Sequence, residues 1–508
     1  MFLPIILDFE NNGLKFMLLK YLRFFTECYK NSWPIITHEE FENYEVNFPN
    51  RNEYKEEMIK KYGYTLYKKR ERKRVNQYFI PSTFYKQLEI EKGSKLEAST
   101  YLLNNRSLEL EKILESYIAE ISKKDTSIIE GILYFAACPL SLKIVAQKYN
   151  IEMIAYETGP IRTPHYRCTT SYFCKEGLYT THEIENRFHN FKKILEEGRK
   201  VPLFKREELL ALFLDDKHLK YISRIDKTPL YEVGVAGGCA LVVPYFAQSK
   251  YMDHELVDDI LELYNPSDII FRLHPGDMYT ASYRLQRYEV GTDPFSFLLS
   301  SKRIAAVGSN LLFEAMLWKR IPCSKTNVMP ATFFCQKSYA SNVEHVDTEL
   351  FVNFFLFSFL VPEELSMDSE YLKWRLSNPT EAEIYLSHLD YYLKKFELSN
   401  QWVELEFDAR INIIKSYRNI CIMDDLAFEN SIIFNNSKKN DDIIENENRK
   451  NSNDDITEED YQMLNNIYIN LQQEYIDTSE YLNAVLNSTA WKMTLPLRKF
   501  MDTIRKKR

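Results

Sequence analysis

The chain has 508 residues, which is too many for one compact core and predicts two domains with appendages. Hydrophobic residues make up 45% and charged residues 27%, as expected of a globular protein. The formal net charge of −8 gives no indication of nucleic-acid binding. The eight cysteines contain no C-x-x-C pair, so the sequence indicates neither a zinc ribbon nor a disulfide framework and favours a reducing compartment.

The N-terminal segment Met1–Glu10 carries an apolar run that ends at Asp8 and Glu10. It has no basic start and no small-residue cleavage site, so it predicts a first strand and not a signal peptide. No stretch reaches the roughly 18 apolar residues that a membrane span needs. The nearest candidate, Leu350–Val361, is shorter and is predicted to be a buried segment.

Residues 1–225 are predicted to form a first, Rossmann-like domain. Apolar residues recur at helical spacing over Leu108–Ile121, and Ile132–Phe135 is a short apolar run typical of a buried strand. Ser141–Tyr149 is then predicted to be a helix and Glu152–Tyr156 a second strand. A strand–helix–strand unit of this kind is the building block of parallel sheets.

Residues 226–430 repeat this alternation and are predicted to form a second Rossmann-like domain. The predicted strands are Ala240–Phe246, Asp268–Leu273 and Arg303–Val307, and the predicted helices are Asp253–Tyr264 and Leu311–Trp318. The fold class is therefore α/β, with two Rossmann-like domains facing across a cleft, the architecture known as GT-B.

The C-terminal part differs in composition from both domains. Residues 431–456 are dominated by Asn, Asp, Glu, Lys and Ser, which predicts a disordered linker. Residues 457–508 are predicted to be helical, because Thr457 and Asp460 resemble a capping box and apolar residues follow near heptad spacing. A short coiled coil or helical hairpin there would hold a second copy of the chain or a partner protein.

An apolar strand runs into the pair His274-Pro275, preceded by Arg272. This places an imidazole at the carboxyl end of a parallel strand, where ligands bind in open α/β sheets. His274 can donate a hydrogen bond to a phosphate oxygen and stabilise a departing nucleotide, while Pro275 fixes the loop that presents it. The alternative is a histidine that only ends the strand.

A second motif, Gly308-Ser309-Asn310, follows the next predicted strand and leads into a helix. Small polar residues at a helix start leave backbone N–H groups available for phosphate, which makes this turn a candidate nucleotide site. Glu314, within two turns of the helix start, could reach a ribose hydroxyl. The alternatives are a plain helix cap for Ser309 and a solvated helix residue for Glu314.

Glu157 follows the strand predicted at Glu152–Tyr156, and Gly159-Pro160 breaks the chain directly after it. A carboxylate at this position faces the cleft, where it could take a proton from an acceptor hydroxyl or steady an oxocarbenium-like centre. Arg162 could pair with a substrate carboxylate or with phosphate. The alternative is a structural Glu–Arg pair that braces the loop.

Two motifs follow each other here: a strand ending in His-Pro, and then a strand followed by Gly-Ser-Asn and a helix that carries Glu-Ala. This order resembles the donor-binding halves of the bacterial β-Kdo transferases of capsule and lipopolysaccharide synthesis, and those of the bacterial polysialyltransferases. Enzymes of both kinds use CMP-activated sugars. The resemblance implies that His274, Pro275, Ser309 and Asn310 hold the nucleotide, although this family often has two adjacent Ser or Thr in the turn. The segment Arg162–Tyr166 also resembles the first domain of the β-Kdo transferases.

The sequence departs from this family at one further position. Retaining β-Kdo transferases are expected to carry an Asp nucleophile in the loop after the first strand of the second domain. Here the best register places Ser249 near that position, and Asp253 comes several residues later. The donor sugar and the stereochemistry of the reaction therefore stay open.

The segment Gly234–Gly238 contains three glycines, but it does not connect a strand to a helix. It therefore does not meet the structural requirement of a dinucleotide-binding fingerprint.

The tail Trp491–Arg508 combines bulky apolar residues with seven Lys or Arg residues. The segment Ser488–Arg498 resembles tails that close many O-antigen and capsule glycosyltransferases. Trp and apolar residues beside clustered basic residues suit a helix lying on anionic lipid, which would bring the protein to a lipid-linked acceptor. The alternative is a helix that packs on a partner subunit.

These expectations combine into one leading hypothesis, a cytoplasmic glycosyltransferase at the inner face of the cytoplasmic membrane. It would transfer Kdo or a related ulosonic acid from a CMP-activated donor to a lipid-linked or growing capsule polysaccharide or lipopolysaccharide O-antigen. The first domain would hold the acceptor and the second the donor. No cofactor and no metal are expected, because no Asp-x-Asp cluster appears where it would bridge a diphosphate.

Two alternatives remain open. Polyol-phosphate transferases of the teichoic-acid type share the fold, use His-Pro and Ser-rich turns, and expel CMP from CDP-glycerol or CDP-ribitol. A catalytically silent scaffold of the polysaccharide assembly complex would recruit partners through the C-terminal helices. Intact His274 and Glu157 argue against that alternative, and the missing Asp leaves it open.

Overall fold

The computed structural model describes residues 1–7, 33–39, 42, 76–124, 128–135, 137–238, 249–272, 288–289, 294–340 and 348–418. The chain divides into two compact units at Asp424, and all described residues belong to the first unit. The linker predicted at 431–456 and the helical tail predicted at 457–508 lie outside the described residues and stay predictions.

The described residues form twelve strands and thirteen α-helices. The strands are β1 Phe2–Ile6, β2 Ile35–His38, β3 Gln77–Ile80, β4 Gly131–Phe135, β5 Glu152–Thr158, β6 Thr170–Cys174, β7 Tyr231–Ala236, β8 Ile269–Arg272, β9 Tyr288–Glu289, β10 Ser301–Ala305, β11 Ile321–Cys323 and β12 Val361–Pro362. The helices are α1 Ser82–Lys92, α2 Lys95–Asn104, α3 Leu108–Lys124, α4 Leu140–Lys148, α5 His182–Glu196, α6 Arg206–Phe213, α7 Asp253–Leu261, α8 Pro294–Ser300, α9 Leu311–Leu317, α10 Glu349–Phe354, α11 Ser369–Leu376, α12 Glu381–Lys395 and α13 Phe407–Tyr417.

The first sheet has the strand order β12-β6-β5-β4-β1-β2-β3. Strands β5, β4, β1, β2 and β3 run parallel, and β6 and β12 add an antiparallel edge. Every residue of β1, β2 and β4 is buried, as expected of parallel strands covered on both faces. The strands predicted at the N-terminus, at Ile132–Phe135 and at Glu152–Tyr156 are therefore confirmed.

The second sheet, β11-β10-β7-β8-β9, is entirely parallel. Its central strand β7 was not predicted, and the strand predicted at Ala240–Phe246 lies outside the described residues. Gly234 lies inside β7, where a Cβ atom would be 2.5 Å from Ser301 Oγ and 2.8 Å from Phe297 Cζ. The glycine thus permits close packing within a strand and is not part of a dinucleotide-binding turn.

The predicted α/β class is confirmed, with two Rossmann-like sheets in the GT-B-like arrangement. The segment predicted to be buried at Leu350–Val361 forms α10 after its first residue, a π-helical turn at Phe355–Phe359 and the start of β12. Its side chains are buried from Phe351 onward, which confirms the prediction for all but Leu350. No helix among the described residues is long and apolar enough to cross a membrane.

The chain returns to the first sheet after the second sheet is complete. Strand β12 pairs with β6, and helix α12 packs against α5 through the buried ion pair between Arg187 and Glu381 (2.8 Å). Helix α13 packs against α6, where Arg410 donates to the fully buried Glu208 at 2.5 Å. The predicted division at residue 225 stays a prediction, and the described contacts show that residues after 355 also pack on the first half.

Candidate functional site

Glu157 lies in β5, one residue before the strand ends, and pairs in register with Tyr172 of β6. Its side chain is half-buried, and the hydroxyl of Tyr179 donates to its Oε2 at 3.3 Å. Burial raises the pKa of Glu157 to about 7, against the opposing effects of the Tyr179 hydrogen bond and the positive charge of Arg162. A carboxyl group with this pKa can exchange a proton near neutral pH.

The turn after β5 is held tightly and presents Arg162. The backbone N–H of Gly159 donates to the carbonyl of Thr170 at 2.7 Å, and the N–H of Thr170 donates to the carbonyl of Ile161 at 2.8 Å. A Cβ atom on Gly159 would lie 2.5 Å from Thr170 Oγ1 and 3.1 Å from Leu360 Cδ2, so only glycine fits. The half-buried Arg162 follows this turn, close enough to Glu157 for its positive charge to act on that carboxyl group.

The loop after β10 leads directly into α9. The hydroxyl of Ser309 accepts a hydrogen bond from the N–H of Leu311, the first residue of the helix, at 3.2 Å. Asn310 occupies the cap position, and its side chain makes no capping bond to the helix. The predicted contact between Ser309 and phosphate stays a prediction.

Two tyrosine hydroxyls of the β5–β6 region form hydrogen bonds with the loop after β10 and with helix α9. Tyr172 donates to Asn310 Oδ1 at 2.7 Å, and Tyr166 donates to Glu314 Oε2 at 2.8 Å. Both tyrosines are 1% exposed. Glu314 is 5% exposed, which excludes the alternative of a solvated helix residue. Residues 138 and 148 positions apart in the sequence therefore meet near the carboxyl ends of the parallel strands β5 and β10, where ligands bind in this class of fold.

The positive charge of Arg162 is close to three members of this cluster. It lowers the pKa of Glu157, and it opposes the rise in pKa that burial causes for Tyr166 and Tyr172. The structure thus brings together four of the predicted site residues, namely Glu157, Arg162, Asn310 and Glu314. The linking role of Tyr166 and Tyr172 was missed, because hydrogen bonds between distant segments leave no local sequence pattern.

Of the four remaining predicted site residues, the structure describes Arg272 and Gly308. His274 and Pro275 lie outside the described residues. Arg272 is buried at the end of β8, and its carbonyl accepts from the N–H of Gly237 at 2.9 Å. Gly308 lies half-buried in the loop that carries Ser309 and Asn310.

Ser249 and Asp253, the residues nearest to the expected position of an Asp nucleophile, both form hydrogen bonds with neighbouring residues. Asp253 starts α7, and its Oδ2 accepts from the N–H of Gly238, just beyond the end of β7, at 2.7 Å. Ser249 bonds locally with Tyr251 through its hydroxyl. Because β7 lies earlier than the predicted strand, the loop after the first strand of this sheet begins at Gly237.

Comparison with known proteins supports a glycosyltransferase. Residues 2–183 match the model of the Glycosyltransferase 99 family N-terminal domain, which is roughly a third of the chain and includes Glu157, Arg162 and Tyr172. The first part of the chain therefore resembles the N-terminal domain of that glycosyltransferase family. No curated protein shows significant sequence similarity to the chain.

Solved structures similar to this chain include two KpsC domains of Thermosulfurimonas dismutans. The β-Kdo 2,7-transferase has a TM-score of 0.30 at 12% identity and covers 51% of this chain and 84% of its own. The β-Kdo 2,4-transferase has a TM-score of 0.29 at 16% identity, covering 44% and 78%. UDP-GlcNAc 2-epimerase from Neisseria meningitidis has a TM-score of 0.27 at 10% identity, covering 82% and 99%.

Proposed function

We propose that this chain is a glycosyltransferase that moves a sugar from a CMP-activated donor to a lipid-linked or growing surface polysaccharide. Kdo or a related ulosonic acid is the proposed sugar, and a capsule polysaccharide or lipopolysaccharide O-antigen is the proposed product. We place the reaction on the cytoplasmic face of the membrane, with the basic, Trp-containing tail at 491–508 lying on anionic lipid.

One observation carries this proposal. The Tyr172 hydroxyl joins the domain that matches a glycosyltransferase family to Asn310, in the loop whose sequence resembles the nucleotide-holding turn of CMP-sugar enzymes. A titratable carboxyl group, Glu157, stands beside Tyr172 on the paired strand. An acceptor bound to the first sheet and a donor bound to the second would therefore meet at Glu157.

In the proposed reaction the acceptor hydroxyl gives its proton to the Glu157 carboxylate as its oxygen bonds to the anomeric carbon. The bond from that carbon to the phosphate oxygen breaks, and CMP leaves with the bonding electrons. Arg162 pairs with the carboxylate of the sugar or with the phosphate. Asn310 and Ser309 hold the phosphate, and His274 donates a hydrogen bond to the leaving oxygen. Alternatively, Glu157 steadies positive charge at the anomeric carbon.

The test is CMP release by the purified full-length chain with a lipid-linked glycan acceptor. CMP-Kdo, CMP-sialic acid, CDP-glycerol and UDP-GlcNAc are offered in parallel, and each is repeated with His274→Ala and Glu157→Gln. We expect release from a CMP-sugar that requires the acceptor and falls at least about 100-fold in Glu157→Gln. Turnover of CDP-glycerol alone would replace the proposal with a polyol-phosphate transferase, and binding of CMP without turnover of any donor would favour a scaffold.

A further inference from the structure

Tyr172 is held rigidly at the boundary between the two sheets. Its ring makes edge contacts with Phe355 and Phe359, each at a centroid distance of 6.2 Å, and only 1% of its surface is exposed. Phe355 in turn stacks on Phe313 of α9 at 4.4 Å. The phenol hydroxyl therefore has a fixed position from which it reaches Asn310.

The hydroxyl of Tyr172 is an obligate donor in this setting. Burial raises the pKa of Tyr172 far above its usual value, and the nearby Glu157 raises it further, so the phenol stays protonated. It donates to Asn310 Oδ1. An amide group is planar, so fixing its oxygen also fixes the direction of its two N–H donors on Nδ2.

Asn310 makes no capping bond to the helix that follows it, and its side chain is partly exposed. We propose that Tyr172 is a positioning residue that orients the Asn310 amide so that Nδ2 donates to a phosphate oxygen of the nucleotide donor. Because Tyr172 also pairs in register with Glu157, it fixes the separation between the bound phosphate and the proton acceptor. This inference rests on the function proposed above.

The experiment is a double-mutant cycle on the full-length chain, with CMP as the ligand. The Kd for CMP is measured by calorimetry for the unaltered chain, Tyr172→Phe, Asn310→Ala and the double variant. Tyr172→Phe keeps the ring contacts and removes only the hydroxyl. We expect each single variant to weaken CMP binding about tenfold, the loss typical of one hydrogen bond to a charged group, and the double variant to be no weaker than Asn310→Ala.

Two controls separate positioning from general loss of stability. Tyr385→Phe removes an equally buried hydroxyl that donates to the carbonyl of Pro202 at 2.5 Å, and it should leave the Kd unchanged. Asn310→Asp keeps an acceptor for Tyr172 but loses the Nδ2 donors, so it should bind CMP at least tenfold more weakly while its melting temperature stays close to that of the unaltered chain. With an active donor, Tyr172→Phe should raise KM more than it lowers kcat.

The outcomes distinguish this inference from the proposed function. If the unaltered chain does not bind CMP, the proposed function fails. If it binds CMP and Tyr172→Phe binds equally well, the positioning role is wrong while the function stands. Independent, multiplicative losses in the double variant, or full binding by Asn310→Asp, would also overturn the positioning role.

Discussion

The carboxyl group of Glu157 has a pKa near the pH at which a general base works best. As a base it must be ionised, so kcat/KM should rise with pH through about 7 and then level off. Glu157→Gln should lower kcat at least about 100-fold and remove this rise. Glu152→Gln, at the exposed start of the same strand, is the matched control and should keep the full pH profile. A profile that is flat from pH 5 to pH 8 would contradict the assignment.

The same carboxyl group should lower the stability of the folded protein at high pH. Its pKa is raised from about 4.3 in the unfolded chain to about 7 on folding, so the folded protein binds more protons between these values. Stability therefore falls as pH rises through 7. Glu157→Gln should be more stable than the unaltered chain at pH 8, by about 1–3 kcal/mol, and nearly equal to it below pH 5.

Urea unfolding at pH 5 and pH 8 measures this difference. The exposed Glu152→Gln variant should show the same stability as the unaltered chain at both pH values. A Glu157→Gln variant that gains nothing at pH 8 would mean that the carboxylate is well solvated in the folded protein, and the general-base assignment would lose its basis.

The loop after β10 is held in place by hydrogen bonds from two residues that follow strand β11. The hydroxyls of Ser324 and Thr326, just beyond the end of β11, both donate to the carbonyl of Val307, at 2.9 and 2.5 Å. They also lie 3.0 Å from each other. This pair fixes the backbone from which Ser309 and Asn310 project, although no sequence motif had pointed to it.

Replacing both hydroxyls in Ser324→Ala/Thr326→Val should leave the buried Val307 carbonyl with two fewer donors. We expect a loss of about 2 kcal/mol in the free energy of unfolding and a several-fold weaker Kd for CMP. Ser223→Ala removes an exposed hydroxyl that donates to the carbonyl of Lys220, and it serves as the control with neither effect. A double variant that loses stability but binds CMP normally would show that the clamp serves folding alone.

Elements with a strong local pattern could be predicted from the sequence. Helix α3 has apolar residues at helical spacing, and β4 is a short continuous apolar run after Glu130, so both were located within three residues. Strand β7 was missed because Glu232 and Gly234 interrupt its apolar pattern, and only the packing of Phe297 and Ser301 against Gly234 explains the glycine. Strand β5 extends to Thr158 because β6 pairs with it, a partner that local patterns do not reveal.

The sequence could predict that two sheets face each other, but not which residues form the contacts between them. Alternating strands and helices indicated two sheets with their ligand-binding edges facing a cleft, with Glu157 at one edge and Asn310 at the other. The contacts themselves, such as that between Tyr166 and Glu314, join segments 148 residues apart. Such pairings depend on how the two sheets pack, which the order of residues along one element does not encode.

The hydrogen bond from Tyr166 to Glu314 should stabilise the association of the two halves. Both groups are buried, and the ring of Tyr166 also contacts Phe295 edge-on at 5.7 Å. Tyr166→Phe keeps that contact but leaves the Glu314 carboxylate with one fewer donor. We expect a loss of about 1–3 kcal/mol in the free energy of unfolding, because a buried charged group loses a hydrogen bond.

Adding Glu314→Gln should recover part of this loss, since a neutral amide is less costly to bury than a carboxylate. Tyr264→Phe is the matched control, because its hydroxyl donates to a neutral acceptor, the backbone carbonyl of Tyr339, at 2.6 Å within the second half. Urea unfolding of these three variants and of the unaltered chain measures these differences. If Tyr166→Phe and Tyr264→Phe lose the same stability and Glu314→Gln recovers nothing, the bond between the halves contributes no more than an ordinary buried hydroxyl.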